Sequence, residues 1–105
     1  MSDDASTPVR TWTLLTNHGR LLLLVAADPD ILLKDLATAA GITERAAGSI
    51  ISDLESAGYL TRTKVGRRNT YDVHLDRPFR HRAESAHTVG ELVAVLGAAA
   101  SRGTA

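Results

Sequence analysis

Cysteine is absent from the 105-residue chain, which removes disulfides, thiolate nucleophiles, iron–sulfur clusters and thiolate zinc sites together. A reducing, cytoplasmic setting follows as the expectation. Aromatic residues are scarce as well: Trp12, Tyr59, Tyr71 and Phe79 are 4% of the chain, too few for a platform on which single-stranded nucleic acid could stack. No apolar run exceeds the seven residues from Leu21 to Ala27, whereas a bilayer span needs about 20. The start Ser2-Asp3-Asp4 lacks the basic residues of a signal peptide, so neither membrane insertion nor export is expected. Net charge is also missing, since twelve basic side chains face twelve acidic ones. That balance hides an asymmetry, because Arg62 to Arg82 holds seven basic residues (Arg62, Lys64, Arg67, Arg68, Arg77, Arg80, Arg82) against Asp72 and Asp76 alone. Local potential, not total charge, decides what docks on a surface.

What is present fits one globular domain: 44% apolar residues and 23% charged residues in a chain long enough for one modest core. Residues 1–10 read as a flexible tail, 11–100 as the domain, and 101–105 as a frayed end. From Trp12 to Asp28 the apolar residues follow two helical stripes, Trp12, Leu15, Leu22, Leu23 and Ala26 on one and Leu14, Leu21 and Val25 on the other. A surface helix needs only one stripe, so the second is expected to lie against another subunit or under a later helix. After Asp28-Pro29-Asp30, the run Ile31-Leu32-Leu33 reads as a strand fragment and Lys34 to Ala40 as a short helix closed by Gly41 and the apolar Ile42. Thr43 is a good N-cap for a helix to about Ala57 that buries Ala47, Ile50, Ile51 and Leu54 and stops at Gly58. Tyr59 to Lys64 and Thr70 to Leu75 read as strands, joined by the tip Val65-Gly66-Arg67-Arg68-Asn69. A last helix is expected to start at Thr88, with Glu91 completing a capping box and Val89, Leu92, Val93 and Leu96 as its apolar stripe, within a C-terminal dimerisation segment of about 84–100.

This order, mainly α with a small β-hairpin, is that of a winged helix-turn-helix. The spacing of Ala37, Gly41, Ala47 and Ile50 adds to it, placing a small residue where two helices cross, glycine at the turn, and an apolar pair that docks the second helix. Across Trp12 to Leu96 the chain resembles the MarR/ArsR-like winged-helix transcriptional regulators of bacteria. The resemblance rests on Thr16-Asn17-His18-Gly19-Arg20, Lys34-Asp35-Leu36-Ala37, Gly41-Ile42-Thr43-Glu44-Arg45, Asp53-Leu54-Glu55, Ala57-Gly58-Tyr59-Leu60 and Val65-Gly66-Arg67-Arg68-Asn69. It implies sequence-specific binding of double-stranded DNA by a homodimer, with residues 43–57 in the major groove and the basic wing 62–71 on the backbone or in the minor groove.

On that reading Glu44, Arg45, Gly48, Ser49 and Ser52 face the bases, and Arg45 has the reach to grip guanine O6 and N7 with two hydrogen bonds. Thr43, Arg62, Lys64, Arg67, Arg68 and Asn69 are the expected backbone contacts, where cations displace condensed counterions. Gly48 and Ser49 depart from the family, whose members look longer and more basic there; glycine either permits close approach to DNA or marks weakened base readout. Trp12, Leu14, His18, Leu21, Val25, Val89, Leu92, Val93 and Leu96 are expected to form the dimer interface. His18, His74, His81 and His87 lack the i, i+4 helical spacing of a ligand pair, and no nucleophile elbow, phosphate-binding glycine loop or paired carboxylate occurs, so no metal, cofactor or catalytic residue is expected. Two alternatives remain open: a winged helix that binds protein instead of DNA, and a regulator gated by a small molecule or metal. The chain leaves little volume for an effector pocket except between subunits.

Overall fold

The computed structural model describes residues 12–97, so the expected tails, together with residues 98–100 of the expected last helix, lie outside the described residues. Three helices come first: α1 (Asn17–Ala27), α2 (Leu33–Ala40) and α3 (Glu44–Ser56). An antiparallel hairpin of β1 (Leu60–Val65) and β2 (Arg68–Val73) follows, then the single turn α4 (Val89–Leu92) and a π-helical turn over Val93–Gly97.

α1 is shorter than the stripes of Trp12 to Asp28 indicate. Thr16 is its N-cap, in extended conformation, and accepts a hydrogen bond from the Gly19 N–H at 3.1 Å. Residues 13–15 run outside the helix, tied to it by the Arg20 guanidinium, which donates to Thr13 Oγ1 at 3.2 Å and to the Leu15 carbonyl at 3.3 Å. The strand expected over Ile31-Leu32-Leu33 is also replaced. Leu33 already opens α2, and the strand-like contact falls earlier, where the Tyr71 N–H donates to the Pro29 carbonyl at 2.9 Å.

α2 and α3 end by the same device. Gly41 and Gly58 take φ of 73° and 86°, which only glycine adopts freely. The residue after each glycine then donates back into the helix, Ile42 to the Ala37 carbonyl at 3.0 Å and Tyr59 to the Leu54 carbonyl at 2.9 Å. Thr43 caps α3 by accepting from the Ala46 N–H at 3.0 Å, as its position in the sequence implies.

The hairpin ladder pairs Val65 with Arg68, so the tip is the two-residue turn Gly66-Arg67, and Asn69 sits in β2 opposite Lys64. The last helix starts where its capping box is expected, with Thr88 as N-cap. Residues 77–79 run beside 87–89, with the Phe79 N–H donating to the His87 carbonyl at 3.1 Å and the Val89 N–H to the Arg77 carbonyl at 2.9 Å. Thr88 is extended, and with Glu91 it forms the capping box.

Leu21, Val25, Leu36, Ile51, Leu60 and Val89 are the largest side chains fully withdrawn from solvent, joining α1, α2, α3, β1 and α4 in one core. Each contributes roughly 1.5–3 kcal/mol through burial. The expectation that Leu21, Val25 and Val89 lie at a dimer interface is corrected here. The chain's own elements cover them, and a fully buried side chain has no surface to offer a partner.

Candidate nucleic-acid interface

Ala37 and Ala47 are buried where α2 and α3 meet, so the helices approach closely and α3 presents its opposite side outward. Glu44, Arg45, Ser49 and Ser52 are exposed on that side. Gly48 is not wholly outward: it is half-buried on the flank toward α2, and a Cβ built there would lie 3.9 Å from Leu33 Cδ2. Thr43 is the helix cap, its hydroxyl already accepting from Ala46.

The basic segment divides into committed and uncommitted cations. Arg62 Nη2 donates to Glu55 Oε1 at 3.0 Å, binding β1 to the last turn of α3. Arg68 Nη2 donates to the Asp30 carbonyl at 2.7 Å, which secures β2 to the loop between α1 and α2. Arg77 Nε donates to the Gly58 carbonyl at 3.1 Å. Lys64 and Arg67, by contrast, are exposed and make no hydrogen bond or ion pair among the described residues, and the same holds for Arg45. Asn69 is half-buried in the ladder. Counting charges in the sequence does not distinguish these groups, because the partners of Arg68 and Arg77 are backbone carbonyls. The one readable signal was the opposite charge of Glu55 and Arg62 on either side of the helix-stopping Gly58.

His18 was expected in a packed interface, yet its Nε2 lies 2.9 Å from Asp53 Oδ2, bridging α1 to α3. His74 has both ring nitrogens in hydrogen-bond contact, Nδ1 with the Gly58 carbonyl and Nε2 with Thr61 Oγ1, each at 2.7 Å. His87 Nδ1 is 2.7 Å from Glu91 Oε1; bonds from His87 and from the Thr88 backbone N–H hold the Glu91 carboxyl below its ordinary range. Among the described residues no three His, Cys, Asp or Glu side chains are grouped to hold a metal ion, and no helix is long and apolar enough to cross a membrane.

Space for a small molecule is larger than the sequence led us to expect. His18, Asp53, Leu54, Ser56, Ala57, Tyr59 and Arg80 line an open groove of about 610 Å³. It arises because Tyr59 Oη donates to the Pro78 carbonyl at 3.1 Å, holding the segment that carries Arg80 beside the C-terminal half of α3 without filling the gap. An adjoining apolar groove of about 320 Å³ runs between residues 14–22 and Phe79, Val89 and Leu92.

Solved structures share this architecture. MepR of Staphylococcus aureus, a transcription regulator of the multidrug efflux pump MepA, superimposes with TM-score 0.53 at 14% identity, covering 85% of this chain and 62% of that one. The chain has the winged helix-turn-helix fold. The MarR family protein Rv2887 of Mycobacterium tuberculosis, solved with salicylic acid, superimposes with TM-score 0.50 at 23% identity over 87% of this chain and 66% of its own. Coverage of PcaV from Streptomyces coelicolor is 50% of that protein, so this winged helix spans half to two thirds of the solved chains it matches. No protein-family model matches the chain, and no curated protein does.

Proposed function

We propose that the protein is a transcriptional regulator that binds double-stranded DNA, with α3 in the major groove and the Gly66-Arg67 wing tip on the adjacent backbone or minor groove. One observation carries this reading: Arg45, Lys64 and Arg67 are exposed and have no side-chain partner among the described residues, while the remaining wing arginines, Arg62 and Arg68, are held by the chain itself. Arg45 is the base reader and Ser49 and Ser52 supply shorter contacts, with Glu44 at the helix start. The similar architecture of MepR and Rv2887 supports a regulator. For the dimer, the exposed Trp12 and Leu14 and the partly exposed Leu92, Val93 and Leu96 supply the apolar surface. Two-fold packing then sets half-sites about 34–36 Å apart on a palindrome.

Replacing Lys64 and Arg67 together with alanine tests the reading. Affinity for specific and mixed-sequence duplexes falls alike, and the slope of log K against log salt becomes shallower by about 0.9 per lost phosphate contact. Arg45→Ala instead relaxes preference at one base position, losing about 1–3 kcal/mol of discrimination. Absence of any duplex binding at low salt by the unaltered protein favours the protein-interaction alternative.

A second reading adds an effector. The groove lined by His18, Asp53, Tyr59 and Arg80 lies within the usual range of small-molecule sites, about 300–1,000 Å³, and touches α3. Rv2887 was solved with salicylic acid, and titration of that compound followed by DNA affinity tests whether this chain is gated similarly.

A further inference from the structure

Arg62 and Glu55 make a contact that differs in kind from the other charged contacts of the wing. Both carboxylate oxygens of Glu55 serve one residue: Oε1 accepts from Arg62 Nη2 at 3.0 Å and Oε2 from the Arg62 backbone N–H at 3.3 Å. Among the described residues the sheet has two strands, so there the outer edge of β1 has no neighbouring strand to take up that N–H. Across the ladder from Arg62 stands the buried Tyr71, whose own N–H donates to Pro29, so the hairpin is secured from both sides at the same level. The two side chains are 32% and 36% exposed, which screens their attraction less than that of a fully solvated pair. Beyond this level the ladder continues only through Thr63, Lys64 and Val65 to the turn.

We infer that Arg62 is a positioning residue and not a phosphate contact: held by Glu55, it fixes the angle between wing and α3, and so sets where Lys64 and Arg67 meet the DNA that α3 engages. The inference rests on the DNA-binding reading above. Swinging a guanidinium out to a phosphate would leave the Glu55 carboxylate without its cation and the edge N–H without a fixed acceptor. A lysine cannot take its place, because the fork that meets a carboxylate is arginine's.

Binding of a mixed-sequence duplex is measured across a salt series for the unaltered protein, Arg62→Ala, Arg62→Lys, Glu55→Ala and the double alanine variant. Amide relaxation of residues 63–68 is measured in the free proteins. Positioning predicts that each single variant weakens binding about threefold or more, that the double variant is no weaker than the worse single one, and that the salt slope holds. Wing amides become more mobile in each variant while the thermal melt stays cooperative. A phosphate contact gives the opposite pattern: Glu55→Ala binds more tightly because a repelling carboxylate is gone, Arg62→Ala loses about 0.9 of slope, and Arg62→Lys retains affinity. Any of these three results overturns the inference. If the unaltered protein binds no duplex, the DNA reading fails, and the relaxation data judge the brace alone: wing mobility unchanged in Glu55→Ala and Arg62→Lys overturns it.

Discussion

Two regions of this molecule leave different chemistry uncovered. Along α3 and the wing, the exposed side chains are mostly hydroxyls and charges, with Val65 a 61% exposed exception, and Arg45, Lys64 and Arg67 have no side-chain partner among the described residues. Around the N-terminal segment and the last turns, large apolar side chains are exposed among polar ones: Trp12 is 73% exposed, Leu14 89% and Val95 71%. The first region is complete, since every helix end in it is capped and its hairpin is secured to α3 and to the α1–α2 loop. The second has apolar surface and no cover within the described residues. A chain that closes its core around Leu21, Val25 and Val89 yet leaves Leu14 in water separates folding from association, and the two are open to separate attack.

The largest effect is therefore expected from charging the same residue type on either side of that division. Leu21→Glu places a carboxylate in a fully buried position with no partner and removes a core side chain, costing at least the 2–5 kcal/mol typical of a Leu→Ala truncation. A loss of that size lowers the melting temperature by on the order of 10–30 °C or abolishes folding. If the proposed dimer forms through this surface, Leu14→Glu leaves the melt of the domain nearly unchanged and shifts the mass seen by light scattering from dimer to monomer. Equal melting temperatures for the two variants would contradict the core described here. A dimer that survives Leu14→Glu would place the interface elsewhere.

A middle-sized effect separates space from function on α3. Glycine inside a helix costs about 1 kcal/mol relative to alanine, and a Cβ at Gly48 would meet Leu33 Cδ2 at ordinary contact distance, 3.9 Å. Gly48→Ala thus raises stability by up to about 1 kcal/mol, read from a denaturant midpoint. If DNA affinity is retained, the glycine is a stability defect without a role in docking. If affinity falls while stability rises, close approach to DNA requires it. A less stable Gly48→Ala protein would contradict the α2–α3 packing.

The same two regions differ in how far they were legible in the sequence. The ends of α2 and α3, the Thr43 cap and the Thr88-Glu91 capping box are set by neighbours a few residues away, and local spacing located each of them. The start of α1 was misplaced because Trp12 and Leu15 happen to continue the helical period, while Thr16 and Arg20 end it by hydrogen bonds that periodicity does not report. Strand limits moved because a two-residue turn at Gly66-Arg67 draws Val65 and Arg68 into the ladder. Among the site residues, the outward position of Arg45, Ser49 and Ser52 follows from helical period alone. The commitment of Arg62 and Arg68 does not, since Asp30 is far from Arg68 in sequence and offers its backbone oxygen instead of its charge.

The smallest effect tests whether the start of α4 is held by its cap. Glu91 accepts from His87 and from the Thr88 N–H, and these bonds favour its charged form and lower its pKa in the folded protein. A carboxyl with a lowered folded pKa stabilises the native state at pH values above its ordinary range. That contribution is lost as the pH falls through the folded pKa, where the unfolded chain already binds the proton. The capping box should therefore weaken in acid, below the ordinary carboxylate range, and the amide of Glu91, which donates to Thr88 Oγ1 at 3.3 Å, should lose protection there relative to its intrinsic exchange rate. In Glu91→Gln the side chain still reaches the Thr88 N–H but carries no titratable charge, so the acid-dependent part of the exchange at α4 disappears while the exchange in α3 keeps its own pH profile. The same acid response in Glu91→Gln as in the unaltered protein would assign the weakening to another carboxylate and detach α4 from this cap.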